Sequence, residues 1–440
     1  MLPTAAAAAA VIETCWTTIE TFTDLESAIS LSSTCLSLHS LIIDTSSSGK
    51  VKVSHFQVFN LPHPDNIGRI PRNYETAHIR IPHYTSHALS HIHFPSLTKL
   101  HIDFPLTRKR QVATGDARSD LIEDVQSIFP MLATQLGSHA CNKLQHLHLN
   151  CNRLMQYEKG GYLAATYEIF GLNLSRCCNE LKELTVVNTG TVRGVNTPMY
   201  SVGLTNALVS TLKRRKDTIQ KFDYEVRGIP ILHHHFTVRG AANVFSDPNC
   251  DLFGAVLQLT KLERLCLKCS FGQFVNFVNA TAREKTGGKT IRDLAIMCQD
   301  IQEYERNLDS FQIVPMLDHF AEYRSIQRLY LVIPSTCWRE SGTLEALANL
   351  LINQPELTSV RLVWFSGFDD KEGKLIKCMS DILPKLALKS CNDIRLSGLS
   401  NVDDIELSKL KDCMEKLRFT FLFERSLHVI GFTRAQSKRR

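Results

Sequence analysis

The chain has no apolar run long enough for a membrane helix, which requires roughly 20 consecutive apolar residues, so no spanning segment is expected. Strong charge of either sign is missing too: the net charge is +6 over 440 residues, with both signs interspersed. A field that weak gives nucleic acid little to bind. The 14 cysteines lack the dense, regular spacing of a secreted disulfide scaffold, and a reducing compartment follows as the expectation. Met1 to Ala10 is apolar and alanine-rich, but it carries no basic stretch and Glu13 cuts it short. No secretory signal is expected there, and an intracellular location, cytoplasmic or nuclear, is.

Recognisable catalytic and metal motifs are equally scarce. Gly287-Gly288-Lys289-Thr290 matches the end of a phosphate-binding loop, yet Arg283 stands where the first glycine belongs, and the segment leads into a strand instead of opening a helix. Cys266 and Cys269 have the spacing of a metal pair, but no second pair follows at ribbon spacing, and the two lie across a strand. His233-His234-His235 cannot all face one ion from an extended chain and read as a surface loop. Neither a nucleophile elbow nor a Cys/His signature is present. The expectation is a protein without catalytic residues, cofactor or metal.

What the sequence does contain is a recurring phrase: apolar, two variable, apolar, one variable, apolar. Clear copies start at Leu97, Leu144, Leu181, Leu262, Ile326 and Leu357; weaker ones start at Leu38, Thr76, Ile219, Ile291, Cys391 and Leu427. From Leu144 onward the phrase returns about every 35 residues, a period typical of stacked repeats. Helical apolar spacing fills the intervals, as in Leu204, Leu208 and Leu212 before Ile219, or Leu344, Leu347 and Leu351 before Leu357. A third stripe runs from Leu121 to Leu136 before Leu144. Each unit therefore reads helix, turn, strand, which stacks parallel strands on one side and helices on the other. Within a strand, the fixed apolar positions must turn inward and the residues between them outward. An ordinary doubly wound α/β fold also alternates helix with strand, but it does not require one phrase to recur.

The phrase and its period resemble the leucine-rich-repeat family, in particular its irregular long-repeat members, over roughly residues 38 to 432. The resemblance implies an α/β solenoid with parallel strands on a concave face and helices on a convex one, here spanning residues 41–434 and followed by a basic tail, 435–440. In that family a ninth position is often Asn or Cys. Only Asn152 fills it among the clear copies, with Pro105, Thr189, Ser270, Pro334 and Phe365 elsewhere, so a regular asparagine ladder is absent and uneven curvature is expected.

Residues 1–40 read as helical and outside the repeat. The run from Phe22-Thr23-Asp24-Leu25 through Leu31 to Leu36-Ser37-Leu38-His39 resembles the second half of an F-box, and Leu2-Pro3 resembles that family's opening, while alanines follow where acidic and bulky contacts are usual. Phe22, Leu25, Leu31 and Leu36 would then be the remnant of a contact with a Skp-type adaptor, through which a cullin is reached. The resemblance implies the substrate-recognition subunit of an SCF-type ubiquitin ligase. The other reading of this segment is a helical cap, which any open repeat array needs at its ends.

Outward residues of successive copies should line up in columns. One reads His101, His148, Thr185, Asp223, Cys266, Ala295, Tyr330 and Arg361; its neighbour reads Lys99, His146, Glu183, Lys221, Arg264, Asp293, Arg328 and Ser359. Mixed charge with a few aromatics suits a protein partner better than a polyanion. Tyr and Arg dominate interface energetics, and the candidate binding residues are His101, His148, Asp223, Arg264, Arg328, Tyr330 and Arg361.

Overall fold

In a computed structural model, the chain divides into two compact units, residues 1–219 and 220–440. The structure describes residues 55–58, 76–80, 98–103, 143–150, 178–188, 202–226, 252–269, 271–284, 290–298, 312–338, 342–369, 374–389, 391–400, 402–424 and 429–434. The expected helical cap with Phe22, Leu25, Leu31 and Leu36, the stripe from Leu121 to Leu136, His233–His235 and Gly287–Lys289 all lie outside them.

In the first unit, β1 (His55–Val58), β2 (Thr76–Arg80), β3 (Lys99–Asp103), β4 (His146–Asn150) and β5 (Glu183–Asn188) pair in parallel, each with the next. Helix α1 (Val202–Arg214) follows them, with Leu208 and Leu212 buried as its spacing requires.

The second unit repeats the alternation. Its elements run β6 (Lys221–Val226), α2 (Leu252–Leu257), β7 (Arg264–Cys269), α3 (Phe271–Arg283), β8 (Asp293–Cys298), α4 (Val314–Ala321) and β9 (Arg328–Pro334). A 3₁₀ turn at Ser335–Trp338 leads to α5 (Thr343–Ile352), β10 (Ser359–Asp369), α6 (Lys374–Leu388), β11 (Asp393–Ser400) and α7 (Asp404–Lys416). Strands β6 to β11 are parallel and adjacent in chain order. The helix and strand alternation and the parallel pairing agree with a solenoid-like repeat.

The recurring phrase explains the inward face. Its three apolar positions are never more than 4% exposed from Leu144 through Leu396, the weak copies at Ile219, Ile291 and Cys391 included. Burial is thus decided by position in the phrase, and Phe222, Tyr224 and Cys391 serve as well as leucine. An aromatic line joins successive helices to the sheet, with ring centroids 6.4 Å apart for Tyr224 and Phe253, 5.5 Å for Phe253 and Phe277, and 6.0 Å for Phe277 and Phe320. Each contact crosses from one repeat to another, so no repeat buries its own aromatic surface alone.

A backbone ladder sets the stagger between strands. The carbonyl of the residue after the phrase's first position accepts from two successive amides of the next copy, as Gln327 O does from Thr358 N at 2.7 Å and Ser359 N at 3.1 Å. Glu263, Arg292 and Thr358 repeat the arrangement in this unit, and Thr98 and Gln145 do so in the first.

Register moves one of the expected copies and adds another. Ala77 and Ile79 pair with Leu100 and Ile102, so the copy placed at Thr76 begins two residues earlier, at Tyr74. Likewise Phe56 and Val58 align with Ala77 and Ile79, revealing a copy from Val53 that sequence reading missed. Both errors have one cause: a phrase with alanine or an aromatic at a fixed position carries little leucine signal. The copy at Leu427 is not a repeat. Its strand, β13 (Val429–Arg434), runs antiparallel to β11 and to β12 (Phe419–Glu424), lying between them. Alternating inward residues mark a strand but not its direction, and the short connection from β12 closes only a hairpin.

Helix α7 starts at a well-formed cap, where Asp403 accepts from the amides of Ile405 at 2.8 Å and Glu406 at 3.3 Å. Asp403→Ala is expected to cost about 1 kcal/mol, measurable as a lower denaturation midpoint with an unchanged slope.

Candidate functional site

The inward face is committed to the core, which leaves the outward face open to solvent. Three rows cross the second unit there. The first is Lys221, Arg264, Asp293, Arg328, Ser359 and Asp393, and the second is Asp223, Cys266, Ala295, Tyr330, Arg361 and Arg395. The third is Glu225, Lys268, Met297, Val332, Val363 and Ser397. The middle of this face carries an open depression of about 320 Å³ over Ala295, bordered by Arg264, Cys266, Arg328, Tyr330 and Arg361. Alanine between larger neighbours on β7 and β9 leaves the space.

Charges on the face pair across strands and, at Arg395 and Asp393, along one strand. Arg264 Nε donates to Asp223 at 3.2 Å, and Arg328 donates to both carboxylate oxygens of Asp293. Asp393 accepts from Ser359 at 3.2 Å, Arg361 at 3.4 Å and Arg395 at 3.1 Å. Its hydrogen bonds to Asp293, then the charge of that carboxylate, push the Arg328 guanidinium above its usual range. Ion pairs this open to water contribute about 0–1 kcal/mol each. Their main effect is to hold the guanidinium groups in place.

Cys266 lies half-buried beside the depression. Burial first, then Asp223, raises its thiol pKa, while Arg264 and Lys268 oppose the shift. The net shift favours the protonated thiol. Cys269 lies on the opposite face, fully buried, with its thiol pushed up to about 12 by burial. The two cysteines of the suspected pair therefore cannot reach one ion.

Of the candidate binding residues, Asp223, Arg264, Arg328, Tyr330 and Arg361 come together on this face. His101 and His148 belong to the first unit, where they are register partners with ring centroids 3.9 Å apart. Beside them, His146 Nδ1 lies 2.7 Å from Glu183. Sequence reading overlooked Asp393 and Arg395, which extend the first two rows by one strand. The signal was available, since the phrase at Cys391 places both outward, but the columns stopped one copy short. The apolar middle of the third row was overlooked as well.

Among the described residues, no helix is long and apolar enough to cross a membrane. No family model and no curated protein matches the chain. Among solved structures, it is similar to a chain from the crystal structure of the Rad7 and Elc1 complex in yeast, at 12% identity and a TM-score of 0.33, over 87% of this chain and 74% of that one. A likeness at that level carries no argument about function.

Proposed function

We propose that the chain is a leucine-rich-repeat scaffold, not an enzyme, that binds a protein partner through the outward face of its second unit. The supporting observation is the in-register assembly of Arg264, Arg328, Tyr330 and Arg361 around one open depression, on a sheet whose other face is used for packing. Arginine and tyrosine ordered in this way are the residue types that carry interface energy. Proximity labelling with the full chain should recover a specific partner. Tyr330→Ala and Arg361→Ala should each reduce its recovery about tenfold, as loss of a contact worth roughly 1.4 kcal/mol does. Recovery unchanged in both folded variants would defeat the proposal.

The finer reading is the substrate-recognition subunit of an SCF-type ubiquitin ligase, supported by the sequence run from Phe22 to His39. Full-length protein should then co-purify with a Skp-type adaptor and a cullin. Failure to recover the adaptor where an intact F-box protein recovers it would count against this reading. If residues 1–36 serve only as a cap, deleting them should lower the melting temperature while the partner of the second unit is retained.

A further inference from the structure

The three outward rows of the second unit carry six cations and four anions, and these charges lie at different heights. The side chains of Arg264, Arg328, Arg361 and Arg395 are 46%, 67%, 48% and 50% exposed. The carboxylates they pair with, Asp223, Asp293 and Asp393, are only 28%, 25% and 24% exposed. An approaching partner therefore meets cations, with the anions beneath them acting as anchors. The anchoring also leaves donors to spare: a guanidinium has five N–H groups, whereas Arg264 and Arg395 give only Nε to their aspartates and Arg361 only one terminal nitrogen.

The third row has a different chemistry. Met297, Val332 and Val363 are register neighbours and half-buried, forming an apolar strip parallel to the arginines. Residues two apart on a strand are separated by about 7 Å, so the first and third rows lie about 13 Å apart, close to the width of one peptide segment with its side chains. The depression over Ala295 lies between them.

On the reading that this face holds a protein partner, we infer that its ligand is an acidic, amphipathic segment of that partner, laid across β7 to β11 with carboxylates on Arg264, Arg361 and Arg395 and apolar side chains on Met297, Val332 and Val363. A nucleic-acid backbone fits less well, because it offers nothing to the apolar strip and would lie over three aspartates.

The test is selection of a phage-displayed library of random 16-residue peptides on the full-length chain, followed by fluorescence anisotropy with the most enriched peptide. Enrichment in Asp or Glu together with Leu, Ile, Met or Phe is expected. The selected peptide should weaken at least tenfold on Arg264→Glu/Arg361→Glu and also on Val332→Asp, both checked for an unchanged melting transition. Exchanging the peptide's acids for lysine should restore binding to the arginine variant and abolish it on the wild-type chain. Should either variant fail to fold, single Arg361→Gln and Val332→Ser replacements serve, with losses of at least threefold expected. The inference is overturned by no enrichment, by enrichment of basic peptides, by binding that ignores the substitutions, or by a 16-nucleotide single-stranded DNA that binds more tightly than the best peptide. If a protein partner is still lost on Tyr330→Ala while the peptides show no acidic preference, the scaffold reading stands and this inference alone falls.

Discussion

Replacing Gly398 with alanine is expected to destabilise the second unit by about 3 kcal/mol or more, among the larger effects of a single methyl group. Two causes combine. Gly398 has φ +78, which costs an L-residue about 1–2 kcal/mol, and a Cβ there would lie 2.1 Å from the carbonyl oxygen of Trp364. That contact is with backbone, so no rotamer change relieves it. The close approach comes from the bulge between β10 and β11, where pairing moves from Val363 with Ser397 to Phe368 with Leu399. The Trp364 backbone lies against Gly398 at this shift in register, and only a residue without a side chain accepts it. Gly342 is the control: its φ is +87, but nothing lies within 4 Å of its built Cβ. Gly342→Ala should lose only the conformational share, about 1–2 kcal/mol. Tryptophan fluorescence is a suitable probe of denaturation, since Trp338 and Trp364 are both buried in this unit with ring centroids 5.5 Å apart. Equal losses in the two variants would show that the bulge contact is not what constrains Gly398.

The second large effect should come from Gln354→Leu. Gln354 is fully buried in the turn after α5, and its amide spans the preceding repeat. Its Oε1 accepts from the Ile326 amide at 3.0 Å, and its Nε2 donates to the Phe320 carbonyl at 3.2 Å. Leucine preserves much of the volume but strands the buried Ile326 N–H, at about 1–3 kcal/mol, while the Phe320 carbonyl keeps the Tyr323 amide at 3.3 Å. A loss of about 1–3 kcal/mol is expected by chemical denaturation, and a loss below about 0.5 kcal/mol would show that water reaches the Ile326 amide. Gln354→Glu adds a sign. A protonated carboxyl can accept from Ile326 and donate to Phe320, whereas the carboxylate would be buried facing a carbonyl oxygen. Burial raises the folded-state pKa of such an acid. Its contribution is therefore fully present below the unfolded value of about 4.3 and is lost as pH rises through the higher folded-state value. Relative to wild type, the glutamate variant should be least destabilised in acid and weaken toward neutrality.

Neither residue could have been found from the repeat. The position of Gln354, three before the phrase, holds Cys178, Leu259 and Tyr323 in other copies; all four are buried, and only one is an amide. Gly398 sits inside a strand as an isolated glycine, and nothing in its neighbours' identities announces that β10 brings Trp364 against it. The candidate site was more legible. Because side chains alternate along a strand, fixing Leu329 and Leu331 inward necessarily sends Arg328 and Tyr330 outward, and pairing by equivalent positions then puts Tyr330 between Ala295 and Arg361.

What the sequence by itself determined was the repeating unit, its inward face and the order of outward residues, because these follow from period and alternation within a short stretch of chain. Tertiary structure decided where that logic stops. The strand after Leu427 turns antiparallel because the short connection from β12 closes a hairpin, and hydrophobic spacing is the same in either direction. It also decided that the arginines stand proud of their aspartates, since relative height depends on which guanidinium reaches across to which carboxylate, a contact between strands that are distant in sequence.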